Sequence, residues 1–289
     1  MLEIVRDPYA LTPVENINGM WVKREDLFAP FGLGEVNGGK LRQCWMMLDK
    51  IKDEYSGTIT CCSIHSPQGP ISAAVSKHFG LISDVYYGRV KPEMLEKADM
   101  VRLVKHYGGN PSIHPNHIRQ VNLYYLAKQN APKENKFIIA YGFNLSKYPE
   151  AILDAVSNQV KNIPDELDNL IITCGSGITS TGVLIGIKKF NKHVKKIYFV
   201  ATAPSREKSI QKTIEENDLD IEYEIIDLFH RKGFEYSKGA YAKLGDIELH
   251  PNYEAKTYRW LVNESSINRT NNKTLFWIVG SLPKLKYGE

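Results

Sequence analysis

Long apolar runs, paired cysteines and a strongly one-sided charge are all missing from this sequence of 289 residues. The run Val183-Leu184-Ile185-Gly186-Ile187 falls far short of the roughly 20 residues that span a bilayer, so no membrane segment is expected. Glu3, Arg6, Asp7 and Pro8 interrupt the amino end. They leave no signal-peptide core, and the expected location is cytoplasmic. Asn263-Glu264-Ser265 then reads as a chance match to a glycosylation triplet. The cysteines are Cys44, Cys61, Cys62 and Cys174, with no C-x-x-C pair among them. Cys62 with His65 supplies two ligands and not a site, so no metal is expected. Three of the thiols sit in apolar runs, where cysteine acts as a small core residue. The formal charge is +4, without a block of like charge or a basic stripe interleaved with aromatics. A nucleic-acid partner is not expected, and the positive excess reads as solvated surface.

What is present is ordinary globular composition, 43% hydrophobic and 24% charged. The length calls for two domains or one large α/β domain. Apolar strand-like runs at 57–62, 82–87, 136–141, 170–174 and 197–202 alternate with amphipathic stretches, among them 41–51 and 70–79. That alternation argues for parallel sheets in α/β layers.

Chemistry concentrates at separated places. Lys40 closes Asn37-Gly38-Gly39-Lys40, where adjacent glycines let an amine and the backbone come close to a flat ligand. Downstream, Leu170-Ile171-Ile172-Thr173-Cys174 runs into Gly175-Ser176-Gly177-Ile178-Thr179 and then a helical stretch. This is the strand, small-residue loop and helix start that binds phosphate through backbone N–H groups and the helix dipole. No Gly-Lys-Ser/Thr follows, and the next glycine, Gly182, is misplaced for a dinucleotide fingerprint. Tyr253-Glu254 adds a carboxylate behind a phenol. An amine for a Schiff base, a phosphate cradle and a carboxylate for a ring nitrogen together point to pyridoxal 5'-phosphate.

The same residues carry a family resemblance. Lys23-Arg24-Glu25-Asp26-Leu27, Gly38-Gly39-Lys40-Leu41-Arg42, the Gly175–Thr179 loop, Tyr253-Glu254-Ala255-Lys256 and Leu275-Phe276-Trp277-Ile278-Val279-Gly280 stand in the family's order. The chain resembles fold-type II pyridoxal-phosphate enzymes, and among them the 1-aminocyclopropane-1-carboxylate deaminase and D-cysteine desulfhydrase family, from Thr12-Pro13 to Leu282-Pro283. The resemblance implies two α/β domains with open, mostly parallel twisted sheets flanked by helices and the cofactor between them. Residues 1–45 and 146–289 would form the larger domain and 46–145 the smaller, inserted one. It implies Lys40 as the Schiff-base lysine, with Arg42 in support. Gly175, Ser176, Gly177, Ile178 and Thr179 would hold the 5'-phosphate, and Glu254 would face the ring nitrogen as in the deaminase branch. Tyr253 would lie by the substrate as acid, base or nucleophile, and a homodimer is expected.

The resemblance frays at the substrate loop. The family's Ser-Asn-Gln or Ser-Asn-His is here Ser66-Pro67-Gln68. Ser66 and Gln68 keep their implied places near the substrate and its carboxylate, whereas Pro67 has neither a side-chain hydrogen bond nor an N–H to offer. His65 is a possible replacement. A second family tyrosine matches Tyr236, after Glu235, with Tyr241 an equal contender, and the segment before Tyr253 is shortened. The expected activity is deamination or elimination of an amino acid, through a Cα carbanion, to a 2-oxo acid and ammonia. Decarboxylation, racemisation or β-replacement on an unusual or carrier-linked amino acid is the alternative. A non-catalytic relative that binds cofactor or a partner is the rival from another class.

Overall fold

A computed structural model describes residues 3–116, 120–143, 148–204, 206–235 and 238–284. Its elements run β1 (Val14–Ile17), β2 (Met20–Arg24), α1 (Gly39–Ile51), β3 (Gly57–Cys61), α2 (Gln68–His78), β4 (Ile82–Tyr87), α3 (Pro92–Lys97), α4 (Asp99–His106), β5 (Asn110–Ile113), α5 (Gln120–Asn130) and β6 (Lys136–Ile139). Then come α6 (Pro149–Ser157), β7 (Glu166–Cys174), α7 (Ile178–Lys189), β8 (His193–Ala201), α8 (Glu207–Glu216), β9 (Glu222–Asp227), β10 (Lys243–Leu244), β11 (Ile247–Glu248), α9 (Glu254–Asn263) and β12 (Thr274–Ile278). The chain divides into two compact units, one of residues 1–33, 37–39 and 153–282, the other of 34–36, 40–152 and 283–289.

The first unit is built on a six-stranded sheet in the order β1-β2-β12-β7-β8-β9. Only β1 runs antiparallel to its neighbour. Side chains alternate across a strand, so the apolar runs serve both faces. Leu170, Ile172, Leu275, Trp277, Ile197 and Phe199 pack on one side with Val183, Leu184 and Ile187 of α7. Ile171, Phe276, Ile278 and Val200 pack on the other with Ala255, Trp260 and Leu261 of α9. Helices on both faces explain why residues 170–172 of β7 and 275–278 of β12 read as continuous hydrophobic stretches rather than alternating ones.

The second unit has a four-stranded, wholly parallel sheet, β5-β4-β3-β6. Every residue of β3 is buried. Among the described residues no helix is long and apolar enough to cross a membrane.

The Lys23-Arg24-Glu25-Asp26 run ends β2 and opens a short 3-10 turn, buried throughout. Lys23 donates to Thr12 O at 2.9 Å and Asn162 Oδ1 at 2.8 Å. Arg24 makes a fork on Asp26 at 3.0 and 2.8 Å and reaches Glu15 at 2.6 Å. Burial raises the Asp26 carboxyl above its usual range, and Arg24 opposes that rise. Glu25 accepts from Thr12 Oγ1 at 2.8 Å. These charges are structural brackets, tolerated in the interior because their polar atoms are met.

Candidate active site

In the first unit the candidate residues collect at the carboxyl ends of β7 and β12, where open parallel sheets place ligands. β7 ends at Cys174, and Gly177, with φ of +84°, turns the chain into α7. Left-handed backbone there suits glycine. No side chain caps α7, so the first N–H groups of the helix, which have no intrahelical acceptor, open toward the loop. Gly175, Ser176 and Thr179 are half-buried, whereas Gly177 and Ile178 are buried. A Cβ built on Gly175 would meet only the Tyr253 ring edge, at 4.0 Å. The loop therefore stands close to the Tyr253 ring.

Glu254 is the first residue of α9 and is buried to 1% exposure. Its Oε1 accepts the Val279 N–H at 3.0 Å. The carbonyl of the same Val279 accepts the Gly39 N–H at 2.7 Å. One residue beyond β12 thus ties the carboxylate to the glycine pair that leads into Lys40. The glycines are required by that approach: a Cβ on Gly38, whose φ is +90°, would lie 2.4 Å from Val279 O. A Cβ on Gly39 would stand 3.1 Å from Glu25 Oε2. Asn37 Oδ1 accepts the Ser281 N–H at 2.8 Å and closes the turn.

Several members of this arrangement were not found in the sequence. Thr173, just before the loop, donates its hydroxyl to Thr257 of α9 at 2.9 Å. Buried His250 lies with its ring 4.8 Å from that of Tyr253 and accepts the Asn252 N–H at Nδ1. Arg206, before α8, packs its Cβ and Cγ 3.1 Å from where a Cβ on Gly177 would be. A His-Pro-Asn turn ahead of Tyr253 and a basic residue after the strand next to β7 were the available signals. Lys256 of the Tyr-Glu-x-Lys segment is buried and donates to Phe234 O and Glu235 O at 3.1 and 2.8 Å. Burial lowers its ammonium below the usual range. It moors the strip leading to Tyr236, which lies outside the described residues. Tyr241 is 69% exposed.

In the second unit Lys40 is half-buried near the start of α1, and Arg42 is fully buried two residues on. Burial pushes the Cys62 thiol up to about 12; Cys61 adds to that rise, and the Lys40 charge is among the effects pulling it back. Ser66 is buried, and its Oγ accepts the Gln68 N–H at 3.3 Å. Gln68 donates to Thr60 Oγ1 at 2.8 Å and Ala140 O at 3.0 Å, and accepts the Gly142 N–H at 2.8 Å. Both its amide protons are committed, so holding a substrate carboxylate would require giving up one of these bonds. Pro67 precedes the first residue of α2 in helical conformation, and His65 is exposed.

No family model matches the chain. It is 29% identical, over 365 aligned positions spanning 98% of this chain and 82% of the relative, to the O-seryl-dTMP PLP-dependent decarboxylase of Salmonella phage ViI. Among solved structures, an ACC deaminase homologue superposes with a TM-score of 0.73 at 19% identity, covering 97% of this chain and 92% of that one. Threonine deaminase isoform 2 from Solanum lycopersicum gives 0.62 at 13% identity, covering 96% and 84%. Serine racemase from Dictyostelium discoideum gives 0.60 at 14%, covering 93% and 92%. The fold is the α/β architecture of the fold-type II pyridoxal-phosphate enzymes.

Proposed function

We propose that this chain is a pyridoxal-phosphate-dependent enzyme that decarboxylates an amino-acid group carried on a larger molecule. The likeness over 98% of the chain to a decarboxylase of a seryl nucleotide carries this reading. It moves the preference away from deamination, the expectation that the family resemblance favoured.

The residues present fit the cofactor. The uncapped start of α7 behind Gly175–Thr179 suits a phosphate, and the Lys40 amine would hold the aldehyde carbon covalently. The buried Glu254 carboxylate, oriented by the Val279 N–H, would keep a proton on the pyridine nitrogen. Bound there, pyridoxal phosphate supplies an electron sink for negative charge developing at Cα.

The chain's own groups then decide which bond of Cα breaks. Abstraction of the Cα proton profits from donors that clamp the carboxylate. Loss of carbon dioxide profits from leaving that carboxylate poorly solvated. The committed Gln68 amide and the missing Pro67 N–H favour the second course. The Cα–carboxylate bond breaks, carbon dioxide leaves, and Tyr253 Oη or Lys40 Nζ delivers a proton to Cα. Ser66 keeps its hydroxyl proton available to the substrate while its oxygen accepts from Gln68.

The test is to incubate the cofactor-loaded protein with O-seryl-dTMP, and separately with free amino acids, and to follow carbon dioxide and ammonia. Carbon dioxide without ammonia supports decarboxylation. Ammonia with a 2-oxo acid supports deamination, the second reading, favoured by the fold likeness at TM-score 0.73 to an ACC deaminase homologue. Neither product from a loaded protein supports a non-catalytic relative. A homodimer is proposed alongside, on the family resemblance alone. A monomer mass by light scattering would rule it out.

A further inference from the structure

We propose that Arg206 is a guanidinium ligand for a phosphomonoester at the Gly175–Thr179 loop, with the Thr202 hydroxyl beside it. This deepens the proposed function, resting on the same loop. A glycine loop at a helix start ordinarily holds phosphate with neutral N–H groups, and a cation laid across it needs its own explanation. Arg206 Cβ and Cγ lie 3.1 Å, and Cδ 3.9 Å, from a Cβ built on Gly177. The side chain therefore crosses the turn into α7, and any residue larger than glycine at 177 would displace it. Its charge reaches the root of the loop. Burial raises the Cys174 thiol, and Arg206 together with the Ser180 hydroxyl draws it back down. Although the residue is half-buried, its Nε is buried with no hydrogen-bond partner among the described residues.

Thr202 supplies an independent sign. It is 2% exposed, its N–H donates to Cys174 O at 3.1 Å, and its Oγ1 is buried without a partner among the described residues. Buried donors are nearly always satisfied. Two unmet ones at the root of a phosphate-type loop are donors suited to an anionic ligand. A doubly charged phosphomonoester suits a guanidinium, which donates in a planar fork, better than it suits a hydroxyl alone. Such a group comes from two sources here, the cofactor's 5'-phosphate or a phosphate on the substrate.

The experiment measures binding to the full chain freed of cofactor, for wild type, Arg206→Ala and Arg206→Lys. The probes are pyridoxal phosphate, pyridoxal and thymidine 5'-monophosphate, with thermal unfolding of each apo form as the folding check. If the cofactor supplies the phosphate, Arg206→Ala weakens pyridoxal phosphate about 10- to 100-fold, as expected for a lost charged hydrogen bond. Pyridoxal, which has no phosphate, then changes less than about 2-fold, and Arg206→Lys falls between. If the substrate supplies it, pyridoxal phosphate is unaffected, and thymidine 5'-monophosphate binding to the loaded protein falls by the same factor. Equal weakening of pyridoxal phosphate and pyridoxal, or no change with any probe, overturns the proposal. Arg206→Lys keeps the test decisive should the alanine variant fail to fold. If wild type binds no pyridoxal phosphate, the proposed function fails. Thymidine 5'-monophosphate binding to the apo chain then still tests Arg206.

Discussion

Replacing Gly38 by alanine probes the tie between Val279 and the glycine pair. The residue has φ of +90°, and the added Cβ would lie 2.4 Å from Val279 O and 2.7 Å from Gly280 Cα. Left-handed backbone costs an L-residue about 1–2 kcal/mol. Overpacking adds about 1–3 kcal/mol, with no relief by side-chain rotation because both neighbours are backbone. The sum is about 2–5 kcal/mol. Gly233, in the same unit with φ of +93°, has nothing within 4 Å of its Cβ position. Gly233→Ala should therefore cost the conformational part alone, about 1–2 kcal/mol. Urea unfolding followed by tryptophan fluorescence measures both, since Trp277 sits on β12 beside the affected turn. The Gly38 variant should unfold at a distinctly lower midpoint. Equal midpoints would refute the contact argument and leave only the backbone preference.

Glu254→Gln keeps an acceptor for the Val279 N–H and should stay within about 1 kcal/mol of wild type while losing at least about 100-fold in turnover. Glu254→Ala should lose about 1–3 kcal/mol by leaving that N–H unmet, both read by denaturation and steady-state kinetics. Gly186→Ala gains about 1 kcal/mol of helix propensity. It also sets a Cβ 2.6 Å from Ser157 O and 2.5 Å from Val160 Cγ2. Overpacking of about 1–3 kcal/mol should win, and a raised melting temperature would contradict this. The four cysteines are free and buried. Burial pushes the Cys61 and Cys62 thiols up to about 12 and raises Cys44 and Cys174 as well. A disulfide reagent at pH 8 should meet almost no thiolate until the protein unfolds; rapid stoichiometric labelling of the native chain would contradict that burial.

The apolar runs at 57–62, 82–87 and 136–141 became β3, β4 and β6, and those at 170–174 and 197–202 fall in β7 and β8. They were legible because strands covered on both faces carry continuous hydrophobic sequence. β5, Asn-Pro-Ser-Ile, was not, since this edge strand has polar and proline positions. The Lys-Arg-Glu-Asp run was visible as a motif, but its role as a buried bracket rests on Thr12, just ahead of β1, and on Asn162, a partner far away in sequence. The glycines of the Gly175–Thr179 loop announced a turn, whereas Val279 joins Glu254 to Gly39 through its own backbone N–H and C=O, which its identity does not encode. Gln68 stands where the resemblance implies a substrate-binding amide, yet only the fold shows that amide committed to Thr60 and Ala140.

Lys40 is proposed to hold pyridoxal phosphate covalently. Reduction of the cofactor-loaded protein with borohydride, followed by peptide mapping, tests it most directly. The expected result is a pyridoxyl group on the peptide carrying Lys40 and none in Lys40→Ala. Labelling of another lysine, or no label in a protein that binds the cofactor, would contradict it.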